Sequence, residues 1–299
     1  MVFSVAESVM GVQSSARASE ASRRSGRDCR CHAPAGSLPG LTLRTRIAKQ
    51  TPIRGVSAGS RHLQGQIMTG IAVFDLDGTL VDTAPDLAAS LNHCLAAACM
   101  APMPLDVVRP HAGHGAKVML REAYRRDGRD IDEAEMRDQV TRFIAYYQDH
   151  IADQSRLFPG VLDSMNRLEA AGMRLAVCTN KYERLAGLLL NALAVADRFA
   201  AICGADTFAR RKPDPLHLNE TIALAGGRSD LSVMVGDTVT DIDTAVAAGV
   251  PSVLVDFGYA PDAAARARAS VIIEDYASLD ISLVERLVAD AGKVTRTKP

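Results

Sequence analysis

Two aspartates, Asp75 and Asp77, close the stretch IAVFDLDG at residues 71–78, where an apolar run of strand character meets charge. Burying two carboxylates close together is costly, because each opposes the ionisation of the other. A second acidic pair, Asp237 and Asp241, follows the apolar run in VMVGDTVTDID. Thr179, Asn180 and Lys181 follow LAVC, and Lys212 stands in RKPDP. Carboxylates crowded at one rim stay ionised when a divalent cation lies among them. Hard oxygen donors of this kind suit Mg²⁺, which also contacts phosphate. Asp75 and Asp237 are the obvious ligands.

This residue set favours a phosphorylated small molecule, since Lys212, the Thr179 hydroxyl, Asn180 and the amides of the Gly78 loop can spread over phosphoryl oxygens. Asp75 can attack phosphorus as a nucleophile. Asp77 can protonate the leaving alcohol and then activate water, a shuttle that contributes on the order of 10² to 10⁴ in rate. Gly78 permits a tight turn beside the phosphate, and Thr79 can hold that loop.

These residues can meet only if strand ends converge. From residue 70 the chain alternates short apolar runs with helix-like segments, the pattern of an α/β fold with a mainly parallel, Rossmann-like sheet. Strands are predicted at 71–75, 173–178, 199–203, 231–235, 252–255 and 270–273, and helices at 160–171, 182–194, 214–225 and 240–248. In such sheets ligands bind beyond the carboxyl ends of the strands. Residues 84–156 break the alternation. They show no convincing strand and at least three amphipathic helices, near 86–99, 115–126 and 132–152, too long a stretch for an ordinary crossover. The expected division is therefore a core of 68–83 plus 157–299 and an inserted all-helical cap domain over 84–156.

Residues 1–67 are a different kind of chain. They hold ten Lys or Arg against three Asp or Glu, are rich in Ser, Arg, Gly and Ala, and lack sustained periodicity; such a segment cannot bury a core. It reads as a transit peptide, as a disordered extension with its own role, or as sequence upstream of a start at Met68. The expected location is cytoplasmic, with organellar targeting the alternative. The whole chain carries a net charge of −1, which suggests neither nucleic acid nor membrane as a partner, and it holds no apolar run of about 18 residues. Oligomeric state is open. Six scattered cysteines fit reduced thiols, with Cys94 and Cys99 expected to pack in a helical core.

DLDGTLVDT at 75–83, TN at 179–180, KPDP at 212–215 and GDTVTD at 236–241 resemble, in order and spacing, the four motifs of the haloacid dehalogenase superfamily. The resemblance spans roughly residues 70–275. It implies a Rossmann-like core, Mg²⁺ dependence and an aspartyl-phosphate intermediate. By position it makes Asp75 the nucleophile, Asp77 the acid/base, Thr179 and Lys212 the phosphate binders and Asp237 a metal ligand. The metal would also take the Asp77 backbone carbonyl, and Asp241 would act behind it or serve only as a helix cap. Dehalogenating relatives lack an aspartate at the place of Asp77. Within the helical block, RPHAGHGAKVML at 109–120 is similar to an Arg, Gly-x-Gly, Leu stretch of phosphoglycolate phosphatases, with Gly115 in the glycine pair. Arg109 would clamp a substrate carboxylate, or else pair on the surface of the block. His111 and His114 read as incidental. The leading function is a Mg²⁺-dependent phosphomonoesterase, best matched to 2-phosphoglycolate. The alternatives are a sugar phosphomutase, a pyrophosphatase, or a silent binding protein that keeps the fold.

Overall fold

The computed structural model describes residues 70–259 and 261–296. The segment 1–67, with Cys29 and Cys31, lies outside them. Six parallel strands form the sheet, in the order β5-β4-β1-β6-β7-β8: β1 (Ile71–Phe74), β4 (Arg174–Cys178), β5 (Phe199–Cys203), β6 (Val233–Gly236), β7 (Ser252–Val255) and β8 (Val271–Ile273). In β1, Ile71, Ala72, Val73 and Phe74 are all fully buried. Successive side chains point to opposite faces, so Ala72 and Phe74 join one apolar cluster while Ile71 and Val73 join another. The strands β4 and β6 divide in the same way, which is why they read as continuous apolar runs: both faces of a parallel sheet are covered. The covering helices include α5 (Val161–Ala170), α6 (Glu183–Ala192), α7 (Pro215–Leu224) and α8 (Val239–Ala248). The C-terminal part adds two helices without a sequence expectation, α9 (Ala263–Arg268) and α10 (Ile281–Arg296).

Strand β1 stands at the sheet centre, paired with β4 on one side and β6 on the other. The loops that follow these three strands therefore emerge side by side. The sixth strand of the chain corrects its expected bounds of 231–235: Ser229–Leu231 is a 3-10 turn, and pairing with β1 starts at Val233.

The helical block holds the three expected helices and one more: α1 (Ala84–Ala97), α2 (Leu105–Ala112), α3 (Ala116–Arg126) and α4 (Glu133–Asp149). The helix α2 was hidden by Pro110 near its end, where proline ordinarily argues against helix. The block is also not strandless at its edges. Val81–Asp82 (β2) pairs antiparallel with Arg156–Leu157 (β3), tying together the two chain segments that enter and leave it. Asp86, almost fully buried, reinforces this junction by accepting from the Gln154 and Ser155 amides and from the Ser155 hydroxyl at 2.6 Å. The block has its own apolar cluster around Leu91, Leu120, Tyr124, Phe143 and Tyr147. Cys94 lies in that cluster, but Cys99 does not: α1 ends at Ala97, and Cys99 is exposed with φ of 55°. No described helix is long and apolar enough to cross a membrane.

Candidate active site

Asp75 leaves β1 with its amide bonded to the Val235 carbonyl at 2.9 Å, so sheet pairing fixes its backbone. Lys212 Nζ lies 2.9 Å from Asp75 Oδ1 and 2.6 Å from Asp241 Oδ1, and the lysine is 3% exposed. Asp237, fully buried, accepts from the Thr79 hydroxyl at 2.9 Å and from the Tyr259 amide at 2.8 Å. One oxygen from each of Asp75, Asp237 and Asp241 falls within 4.8 Å of the others. Gly78 completes the crowding: its φ is +82°, and a Cβ there would stand 2.4 Å from Asp237 Oδ2. Only glycine meets both conditions.

Burial raises the Asp75 carboxyl to about 6; Lys212 draws it down and Asp241 pushes it up. Burial likewise holds Asp237 well above the ordinary carboxylate range, with the charges of Asp241 and Asp75 adding to the effect. Burial alone would depress Lys212, yet Asp241 and Asp75 more than reverse this and keep it protonated. One ammonium thus serves three buried carboxylates. Asp75 Oδ1 is buried with Lys212 as its one close polar neighbour among the described residues. Clustered hard oxygen donors with so little counter-charge suit a divalent cation.

Asp241 caps a helix, one of the readings its sequence position allowed, and also holds Lys212. Its Oδ2 accepts from the Thr238 amide and hydroxyl as a capping box of α8, while its Oδ1 anchors Lys212. Asp77 is held differently. The Thr83 hydroxyl donates to its Oδ1 at 2.6 Å, and Lys181 Nζ binds Oδ1 at 2.9 Å and Oδ2 at 3.1 Å. Burial would lower the Lys181 ammonium, but Asp77 more than offsets it.

Thr179 is buried at the end of β4, where its amide donates to the Cys203 carbonyl. Asn180 reaches the cavity rim but also spends its side-chain amide on the Lys212 carbonyl, at 3.1 Å, bracing one loop against the next. These groups open into a cavity of about 540 Å³ whose other wall comes from the helical block, including Gly113, Gly115 and Tyr147. Gly115, with φ of +86°, starts α3 at this wall. Arg109 is elsewhere: Asp82 Oδ1 holds it at 2.7 Å, and it does not line the cavity. Of the two histidines in this stretch, His114 lines the rim and His111 does not.

Sequence reading named Lys181 without giving it a role, and it missed Tyr147 and Tyr259. Lys181 follows Thr179 and Asn180 directly, so its place in TNK was a usable signal. Tyr259 carries none, although its hydroxyl accepts from the Thr83 and Ala84 amides and donates to Asp82.

The loop bearing Lys212 rests on His217, which is fully buried and accepts from the Lys212 amide through Nδ1 at 3.2 Å. Burial, and then the nearby Lys212 charge, lowers this imidazole from 6.5 to about 4. The folded state therefore resists a proton that the unfolded chain accepts, so the contribution is complete above pH 6.5 and is lost as pH falls towards 4. Relative to His217→Gln, the wild-type protein is expected to lose up to about 3 kcal/mol over that window. Urea midpoints of both proteins at pH 7 and pH 4.5 measure it; a constant difference between them would refute the assignment.

Comparison with known proteins decides the family. Residues 72–255 match the family model of the haloacid dehalogenase-like hydrolases. The chain belongs to that family. It is 49% identical over 222 residues to a phosphoglycolate phosphatase of Mesorhizobium japonicum, an alignment covering 74% of this chain and 98% of the relative. A phosphoglycolate phosphatase of Agrobacterium fabrum is 45% identical over 222 residues, covering 74% and 95%. Among solved structures, a Haemophilus somnus protein described as a predicted phosphoglycolate phosphatase superposes with a TM-score of 0.66 at 29% identity, over 74% of this chain and all of that one. The expected Rossmann-like α/β architecture is thus that of a hydrolase family, and the chain is an enzyme of that family.

Proposed function

We propose that this hydrolase is a Mg²⁺-dependent phosphatase that cleaves 2-phosphoglycolate to glycolate and phosphate through an aspartyl-phosphate on Asp75. The observation that carries the reading is the convergence of the Asp75, Asp237 and Asp241 oxygens around the buried Lys212, with Asp77 beside them at the cavity floor. The names of the relatives from Mesorhizobium and Agrobacterium supply the substrate. Asp75, Asp237 and the Asp77 carbonyl would hold Mg²⁺, which supplies positive charge against the phosphoryl group.

In this reading one Asp75 oxygen attacks phosphorus while Asp77 gives its proton to the departing glycolate oxygen. Asp77 then takes a proton from water, whose oxygen attacks the phosphorus of the aspartyl-phosphate and returns Asp75 to its carboxylate. Lys212 and the Thr179 hydroxyl face the phosphoryl oxygens throughout, and such positioning and charge carry most of phosphoryl-transfer catalysis. The helical block, read as a cap domain, closes the cavity over the substrate and excludes water.

Phosphate release from a panel of small phosphomonoesters, with Mg²⁺ and with EDTA, tests the proposal. Selective hydrolysis of 2-phosphoglycolate that EDTA abolishes is expected, and Mg²⁺ at about 100 times its Kd should stabilise the protein by about 2.7 kcal/mol. EDTA-insensitive turnover would overturn the metal dependence. A sugar-phosphate isomer with little free phosphate would instead identify a mutase.

A further inference from the structure

Lys181 is the second buried cation of the cavity, with a side chain only 6% exposed. Unlike Lys212, it takes no part in the cluster around Asp75. Its ammonium has three donors, and Asp77 Oδ1 and Oδ2 accept from it. Above it lies the ring of Tyr147, brought by α4 of the helical block, with Nζ 4.5 Å from the ring centroid. The Tyr147 hydroxyl is buried, interacts with the Lys181 ammonium without a hydrogen bond of good geometry, and belongs to a residue lining the same cavity. A buried hydroxyl without a good hydrogen bond is costly, and a ligand acceptor would satisfy it.

We propose that Lys181 and the Tyr147 hydroxyl form the subsite for a substrate carboxylate placed one methylene from the ester oxygen. The inference rests on the phosphatase reading above, in which Asp77 faces that ester oxygen. Lys181 touches both Asp77 oxygens, so its ammonium stands one hydrogen bond beyond the group that meets the ester. In 2-phosphoglycolate the carboxyl carbon is two bonds from the same oxygen, a separation that brings the carboxylate to the ammonium while the phosphoryl group sits on Asp75. The remaining cations of the cavity are less suited. His114, Lys117, Arg121 and Arg211 are exposed, and Arg109 is engaged by Asp82 away from the cavity. A charge-assisted contact to an ammonium so little exposed discriminates more strongly than one screened by solvent.

The test compares kcat/KM for 2-phosphoglycolate with that for ethyl phosphate, which replaces the carboxylate by a methyl group. The wild-type protein, Lys181→Met, Lys181→Arg and Tyr147→Phe are measured alongside their thermal melting. Lys181→Met is expected to lower the 2-phosphoglycolate to ethyl phosphate ratio by about 10- to 100-fold, chiefly through KM, and Tyr147→Phe by about 5-fold. Lys181→Arg, which keeps the charge, should retain much of the preference. Equal loss on both esters would overturn the subsite and leave Lys181 as a support for Asp77 alone. If Lys181→Met does not fold, an unchanged ratio in Tyr147→Phe has the same meaning. A wild-type protein active on ethyl phosphate but without preference for 2-phosphoglycolate overturns the substrate reading and the subsite with it. A wild-type protein inactive on both esters overturns the phosphatase reading itself.

Discussion

Asp75→Asn is expected to reduce phosphate release by on the order of 10⁴-fold or more, without destabilising the metal-free protein. The carboxamide keeps the size and position of the side chain but cannot form the aspartyl-phosphate. Its effect on stability follows from the neighbourhood. Asp75 is pushed up to about 6 by burial and by the Asp241 charge, against the pull of Lys212. Its ionisation at neutral pH therefore works against its own environment. Removing its charge relieves repulsion with Asp237 and Asp241, while Lys212 retains its 2.6 Å contact with Asp241. Melting in EDTA should match or exceed that of the wild-type protein, and the stabilisation by Mg²⁺ should shrink. Substantial residual turnover in Asp75→Asn, after exclusion of contaminating phosphatase, would remove Asp75 from the nucleophile's role.

Lys212→Met should lose both activity and stability. Methionine approximates the length of the stem, so packing is largely kept and the missing quantity is the charge. Without it Asp75 and Asp241 lose their shared counter-ion, and Asp237 gains no replacement. Breaking a buried ion pair by removing one partner costs about 3 to 5 kcal/mol. Turnover should fall by about 10³-fold, because among the described residues Lys212 is the side-chain cation paired with Asp75 where the phosphoryl group would sit. Denaturant titration and phosphate release measure the two effects independently. Lys212→Met with wild-type stability would mean that the three carboxylates are already relieved by another route, such as protonation.

The two substitutions have opposite consequences for stability although their side chains touch. That contrast separates a carboxylate cluster built to hold a cation from an ordinary buried salt bridge, for which loss of either partner destabilises.

Much of this site was legible in the chain. Asp75, Asp77, Thr179, Lys212 and Asp237 all stand directly after, or close behind, apolar runs that form adjacent strands. In a parallel sheet every such exit opens at the same edge, so residues about 160 positions apart could be brought together on paper. Reading left open what depends on side-chain direction. Arg109 could be a carboxylate clamp or an ion-pair partner, and the fold pairs it with Asp82. Asn180, read as a phosphate ligand, lines the cavity and also braces the Lys212 loop. Lys181 was visible as a residue but not as the partner of Asp77, because nothing in TNK tells which carboxylate the side chain reaches.

By itself, then, the sequence determined the alternation of buried strands and helices, the inserted helical block, and the polar residues that end up at the strand exits. Those properties follow from local periodicity and from the cost of placing charge beside apolar runs. Only the tertiary structure decided the pairings: Lys212 with Asp75 and Asp241, Lys181 with Asp77 beneath Tyr147, and Tyr259 across the junction to Thr83 and Asp82. These contacts join elements far apart in the chain. Their geometry depends on strand order and on how helices pack over the sheet, which are properties of the whole fold that no local pattern encodes.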